Sequence, residues 1–132
     1  MFVADAHSPS VVGWLSAEPR AVTLSDWTVA EFISVLGVAT RGGRIRTAAK
    51  HAAEQALDTW IGQHGSALAV LSEDVRRARV LMNQTGLPLR ASDALHLAVA
   101  RRTGHVLATF DAGMRRAAED LGLPVEDLSP HP

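Results

Sequence analysis

Cysteine is absent from the chain. That excludes a disulfide framework and any thiolate metal site, and it fits a reducing compartment. No apolar run approaches the ~20 residues that a membrane span requires, and no basic-then-apolar leader opens the sequence. The expected location is therefore cytoplasmic, without a membrane partner. Lysine is nearly absent as well: Lys50 is the only one, and the other Lys or Arg positions are all arginine. Arginine forks suit bidentate phosphate contact, but a GC-rich coding sequence also supplies them. The net charge of −1 leaves no strong electrostatic footprint for nucleic acid. No Gly-x-Gly-x-x-Gly follows a strand-like run, which argues against dinucleotide binding. Repeats, linkers and low-complexity segments are also missing.

What is present describes one domain spanning residues 1–132. A chain of 132 residues buries roughly two-thirds of its unfolded surface. Its 47% hydrophobic and 20% charged content are those of an ordinary globular domain.

Ser8 or Ser10 starts a helix through Val11, Val12, Trp14 and Leu15 that Pro19 ends. Ala21 to Leu24 reads as a buried strand. Ser25 or Asp26 caps a helix from Trp27 to about Thr40, stopped at Gly42-Gly43. Thr47 opens a long helix to about His64, with Ala49, Ala52, Ala53, Ala56, Leu57, Trp60 and Ile61 at helical spacing. Ala67 to Leu71 reads as a second strand, and Ser72-Glu73-Asp74 starts another helix. The stretch from Leu89 to Ala100 is a helix apolar nearly all round, hence buried, and Gly104 ends it. His105 to Phe110 is a third strand, Asp111 caps a helix from about Ala112 to Leu121, and Leu123 to Leu128 is a last strand. Short strands alternating with helices mean an α/β domain with a mainly parallel sheet covered by helices on both faces.

In such a sheet, ligands sit beyond the carboxyl ends of the strands. Asp111 follows the third strand directly, Glu31 lies early in the helix after the first, and Asp93 begins the apolar helix. Capping by Ser92, Asp93 or Asp111 is the plain alternative. Glu31 is the most informative, because Val29, Ala30, Phe32, Ile33, Trp27 and Val35 around it leave almost no polar stripe. Carboxylates about 5 Å apart at an effective dielectric of ~20 repel by roughly 3 kcal/mol per pair. Such a cluster persists only with protons or a cation. Oxygen ligands without cysteine or spaced histidines suit Mg²⁺ or Mn²⁺, the usual equipment for phosphodiester hydrolysis. His96, one turn after Asp93, reads first as a core histidine and second as a donor to a liganding carboxylate. His7, His51, His64, His105 and His131 show no ligand spacing.

The segments from Ser25 to Phe32, from Ser92 to Ala98 and from Ala108 to Asp111 together resemble PIN-domain proteins. The likeness is to the VapC-like toxins of type II toxin–antitoxin pairs and runs from about residue 8 to 128. It implies a PIN-like three-layer fold and a Mg²⁺-dependent endoribonuclease acting on RNA, blocked by an antitoxin protein and usually a homodimer. Glu31, Asp93 and Asp111 inherit the second, third and fourth acid roles, and Thr109 is the hydroxyl beside the last. The family opens with a strand ending in Asp and then Thr or Ser, whereas the nearest candidate here, Asp5, has neither after it. Phe2 to Ser8 accordingly reads as the end of the first helix, with the central strand and its Asp lost and the domain N-terminally short. The other reading keeps Phe2-Val3-Ala4 as a short strand, with Asp5 as a substitute metal ligand.

Two function classes follow: a metal-dependent endoribonuclease, its activity intact or impaired in this form, or a catalytically inactive module retaining antitoxin binding or dimerisation. A phospho-acceptor receiver is disfavoured because Lys50 sits inside a helix rather than at a strand end. Arg90, three residues before Asp93, is the first choice for a contact to a scissile phosphate.

Overall fold

The computed structural model describes residues 2–4, 17, 21–65 and 67–128. The expected helix around Val11 to Leu15, the acid Asp5 and the tail to Pro132 lie outside these residues. Among the described residues four strands form one parallel sheet: β1 (Phe2–Ala4), β2 (Val22–Thr23), β3 (Val106–Thr109) and β4 (Val125–Asp127), in the order β2-β1-β3-β4. Five helices accompany them among the described residues: α1 (Asp26–Arg41), α2 (Thr47–His64), α3 (Ser72–Gln84), α4 (Ala91–Thr103) and α5 (Ala112–Asp120).

The position of β1 corrects the favoured sequence reading. Phe2 to Ala4 is not the end of a helix but a central strand. Phe2 and Val3 pair with Val22 and Thr23 on one side, and Phe2 to Ala4 pair with Val106 to Ala108 on the other. Three residues carry too little pattern to announce a strand; two neighbours with open ladders supply the missing hydrogen bonds.

Another expectation fails in an instructive way. Ala67 to Leu71 is not a strand, and only Leu68 bridges to Ser25. Leu68 donates to Leu24 O at 2.7 Å and accepts from Asp26 N at 2.8 Å. Beyond it, side chains take the backbone groups a ladder would use. Arg102 donates to Ala69 O, and Leu71 N donates to Asp74 Oδ2.

Elsewhere the local chemistry decides as expected. Ser25 caps α1 by accepting from Thr28 N, and Asp111 caps α5 by accepting from Met114 N. Gly104 ends α4 at φ +73, a left-handed conformation that favours glycine. Two clusters make the core. Val22, Leu24, Phe32, Leu36 and Leu57 join β2 to α1 and α2, with Phe110 packed against them. Leu81, Leu97, Leu107, Met114 and their neighbours join α3, α4 and α5 to β3. Val22 and Val106 both pair with Phe2, one position out of step with Leu107, so Val22 and Leu107, one from each cluster, face opposite sides of the sheet. The sheet is thus the middle of three layers. In α2, by contrast, Ala49, Ala52 and Ala56 lie exposed, and only Leu57 is fully buried.

Candidate functional site

Glu31 enters from the second turn of α1, on the helix whose start Ser25 fixes. Its carboxylate is 17% exposed and meets a fully buried histidine, His96 of α4. His96 Nε2 and Glu31 Oε1 stand 2.5 Å apart. A carboxylate only accepts, so Nε2 carries the hydrogen. On the far side of the ring, His96 Nδ1 lies 3.5 Å from Thr28 Oγ1. Thr28 Oγ1 is in turn 3.0 Å from Ser25 Oγ. The cap of α1, the ring of His96 and the acid Glu31 therefore form one polar chain inside an apolar interface. Such a chain is favourable in low dielectric only because its members satisfy one another.

The consequence for Glu31 is directional. Oε1 is occupied by His96, while Oε2 has no hydrogen-bond partner among the described residues. The plain reading of His96 as a core residue is right about burial and incomplete about chemistry, since the ring holds an acid. The signal in the sequence was the spacing to Asp93, which puts both side chains near one face of α4.

Asp93 is not the N-cap residue of its helix. The N-cap of α4 is Arg90, which makes no side-chain cap hydrogen bond. Asp93 stands in the first turn and is buried to 9% exposure. Negative charge is favoured there by the exposed amides of the helix start. Because Asp93 precedes His96 by one turn, the His96–Glu31 bond ties the two acid-bearing segments together. Arg90 itself is exposed.

Asp111 follows β3 and does act as a cap, its Oδ1 accepting from Met114 N at 2.7 Å. Its backbone N–H donates to Oγ1 of the buried Thr109 at 3.0 Å. A Cβ at Gly113 would stand only 3.0 Å from Asp111 Oδ1, so glycine there keeps the cap unobstructed. Thr109 thus orients the turn that carries Asp111.

Carboxylate oxygens are the donor type that a hard divalent ion prefers. Among the described residues, no group of three or more His, Cys, Asp or Glu is arranged to hold a metal ion. Asp5 comes directly after β1 in the chain and lies outside those residues. Also among the described residues, no helix is long and apolar enough to cross a membrane.

A family model described as PIN domain matches residues 2–120. No curated protein matches the chain in sequence. Among solved structures, FitAB bound to an IR36 DNA fragment is similar, with TM-score 0.69, 19% identity and 100% of each chain covered. FitAcB from Neisseria gonorrhoeae has TM-score 0.67 and 19% identity, covering 96% of this chain and 97% of that one. VapC20 from Mycobacterium tuberculosis, described as a sarcin-ricin loop cleaving toxin, has TM-score 0.64 and 17% identity, covering 89% and 95%. At such identities the likeness is one of fold.

Proposed function

We propose, because the chain belongs to the PIN domain family, that it is a divalent-metal-dependent endoribonuclease of the toxin–antitoxin kind. The observation that carries this is the His96–Glu31 bond. It ties an acid of α1 to α4 one turn after Asp93, and among the described residues it leaves one oxygen of Glu31 uncommitted. Support for an RNA substrate and an antitoxin partner comes from similar folds. One is a toxin said to cleave the sarcin-ricin loop, and another belongs to a toxin–antitoxin system from Mycobacterium tuberculosis.

On this reading Glu31 and Asp93 would hold Mg²⁺ or Mn²⁺, with Asp5 and Asp111 as the further acids. When bound, such an ion offsets the charge that builds on a phosphodiester under attack. The chain's own residues do the rest. His96 keeps the Glu31 carboxylate in one orientation. Thr109 holds the Asp111 turn, whose cap bond uses Oδ1 and leaves Oδ2 for the site. Arg90, exposed at the start of α4, would face the phosphate as a counter-charge. The acting form would be a cytoplasmic homodimer released from its antitoxin.

The test is calorimetry with Mn²⁺ on the purified chain, paired with RNA cleavage. Asp93→Asn should weaken Mn²⁺ binding at least about tenfold, as loss of a carboxylate ligand implies, and abolish cleavage. Metal binding that ignores Asp93→Asn would remove the site. Binding lost with no cleavage in the parent chain would leave a non-hydrolytic module that keeps antitoxin contact. Arg90→Ala should lower RNA affinity and flatten its salt dependence; an unchanged slope would take Arg90 off the site.

A further inference from the structure

The far end of α4 carries a second constructed feature that the acid rim does not use. There α3 and α4 enclose a cleft of about 490 Å³, lined by Glu73, Asp74, Arg76, Arg77, Val80, Ala98, Arg101 and Arg102. Its wall is rigid. The Asp74 carboxylate, 1% exposed, receives Arg102 Nε at 2.7 Å and Nη2 at 3.0 Å, and Leu71 N donates to it as well. Arg102 Nη2 also donates to Ala69 O at 2.8 Å. The pair is internally neutral, so the charge of the cleft is set by the others. Among the described residues, the side chains of Arg76, Arg77 and Arg101 make no hydrogen bond or ion pair, against the single exposed carboxylate of Glu73. Three unpaired guanidinium groups around one concavity is a local excess in a chain of net charge −1.

We infer that this cleft is a docking site for an acidic peptide segment that inserts an aliphatic side chain. The arginines supply bidentate partners for carboxylates. Val80, 38% exposed, supplies apolar surface for the inserted side chain, with the buried Ala98 behind it. Arginine around an apolar centre is the composition of protein interfaces. A phosphodiester chain fits less well for two reasons. No lining residue is aromatic, which removes the stacking platform that single strands use. Glu73 also repels a ligand that carries one charge at every nucleotide, whereas a peptide places a neutral residue beside it. The cleft is separate from the acids: Arg101 lies eight residues after Asp93, about 12 Å along the helix axis. The inference does not depend on metal binding or RNA cleavage.

The experiment uses the whole chain and a fluorescein-labelled peptide built of Leu-Glu-Glu repeats, followed by anisotropy. Controls are the same peptide with Ser for Leu, the same peptide with Lys for Glu, and labelled oligouridylate. The Leu-Glu-Glu peptide should bind saturably and more tightly than any control. The double variant Arg77→Glu with Arg101→Glu should weaken it at least about tenfold, the scale of losing charge-assisted bonds. Arg44→Glu, in the loop after α1, should leave it unchanged. Backbone amide shifts on the unmutated chain should concentrate at residues 73–80 and 98–102, which keeps the test independent of how the variants fold. No peptide binding, equal binding by the double variant, or shifts elsewhere would overturn the inference. Oligouridylate binding that is lost in the double variant, in place of peptide binding, would reassign the cleft to phosphate and overturn it too.

Discussion

Two shielded carboxylates are each held by a basic side chain on α4, Glu31 by His96 and Asp74 by Arg102 six residues further on, and are satisfied to different degrees. Asp74 is 1% exposed and has both oxygens engaged, by the Arg102 fork and by Leu71 N–H. Glu31 is 17% exposed and has one oxygen engaged, by His96. Burial raises the pKa of Asp74, but the hydrogen bonds from Arg102 and Leu71 and the Arg102 charge outweigh it and hold the carboxyl below the usual range. A structural acid and a functional one part at this point. An acid with both oxygens engaged stabilises the fold. An acid held rigid by one oxygen alone still has something to offer a ligand.

The largest effect should come from Asp74. Asp74→Ala leaves the Arg102 fork without its partner at a buried wall and frees Leu71 N–H. Breaking such a pair costs about 3–5 kcal/mol when both groups are buried, and the 28% exposure of Arg102 puts this case toward the lower bound. Urea unfolding measures it, and a loss below about 1 kcal/mol would place the pair among ordinary surface bridges. RNA cleavage per folded molecule should not change.

Glu31→Gln should do the reverse. Stability should fall by about 1 kcal/mol, the size of one hydrogen bond, while Mn²⁺ affinity falls at least about tenfold. His96→Leu should also weaken Mn²⁺ binding about tenfold. His96→Gln, whose amide reaches toward the position of Nε2, should restore most of it. Equal metal affinity in both His96 variants would make the ring a packing residue alone and erase the contrast drawn above.

A pH series separates the two acids without mutation. The carboxyl of Asp74 is depressed in the folded chain, so its stabilising contribution is complete above the unfolded value of about 3.9. That contribution is lost as pH falls through the folded value beneath it. Unfolding free energy should therefore drop below about pH 4, and Asp74→Ala should remove that part of the slope. A slope unaffected by the substitution would refute the assignment.

The smallest effect belongs to Asp120, an exposed acid. Thr85 Oγ1 and Gly86 N donate to it at 2.7 and 3.1 Å, and these bonds lower its pKa. Asp120→Asn should loosen the turn before α4 slightly, seen as faster amide exchange at Gly86 with little change in global unfolding. No change in exchange would mean that the turn holds itself.

Much of this was legible before any coordinates. The helix of Leu89 to Ala100 was readable as buried because its apolar residues run all round. Glu31 stood out for its apolar neighbours, and Ser25 and Asp111 for the helices they precede. All of these depend on residues within one or two turns. His96 was legible as buried but not as the holder of Glu31, because that bond joins residues 65 positions apart.

Short-range backbone sterics and periodicity made most of the helices and strands legible in the residues alone, with the caps Ser25 and Asp111 and the stop at Gly104. Long-range pairing settled that Phe2–Ala4 is a central strand and that Ala67 to Leu71 is not a strand. In the first case open ladders on both sides demanded partners. In the second, Arg102 and Asp74 had already taken the backbone groups. The same long-range competition for hydrogen bonds left Asp74 saturated and Glu31 with an oxygen to spare.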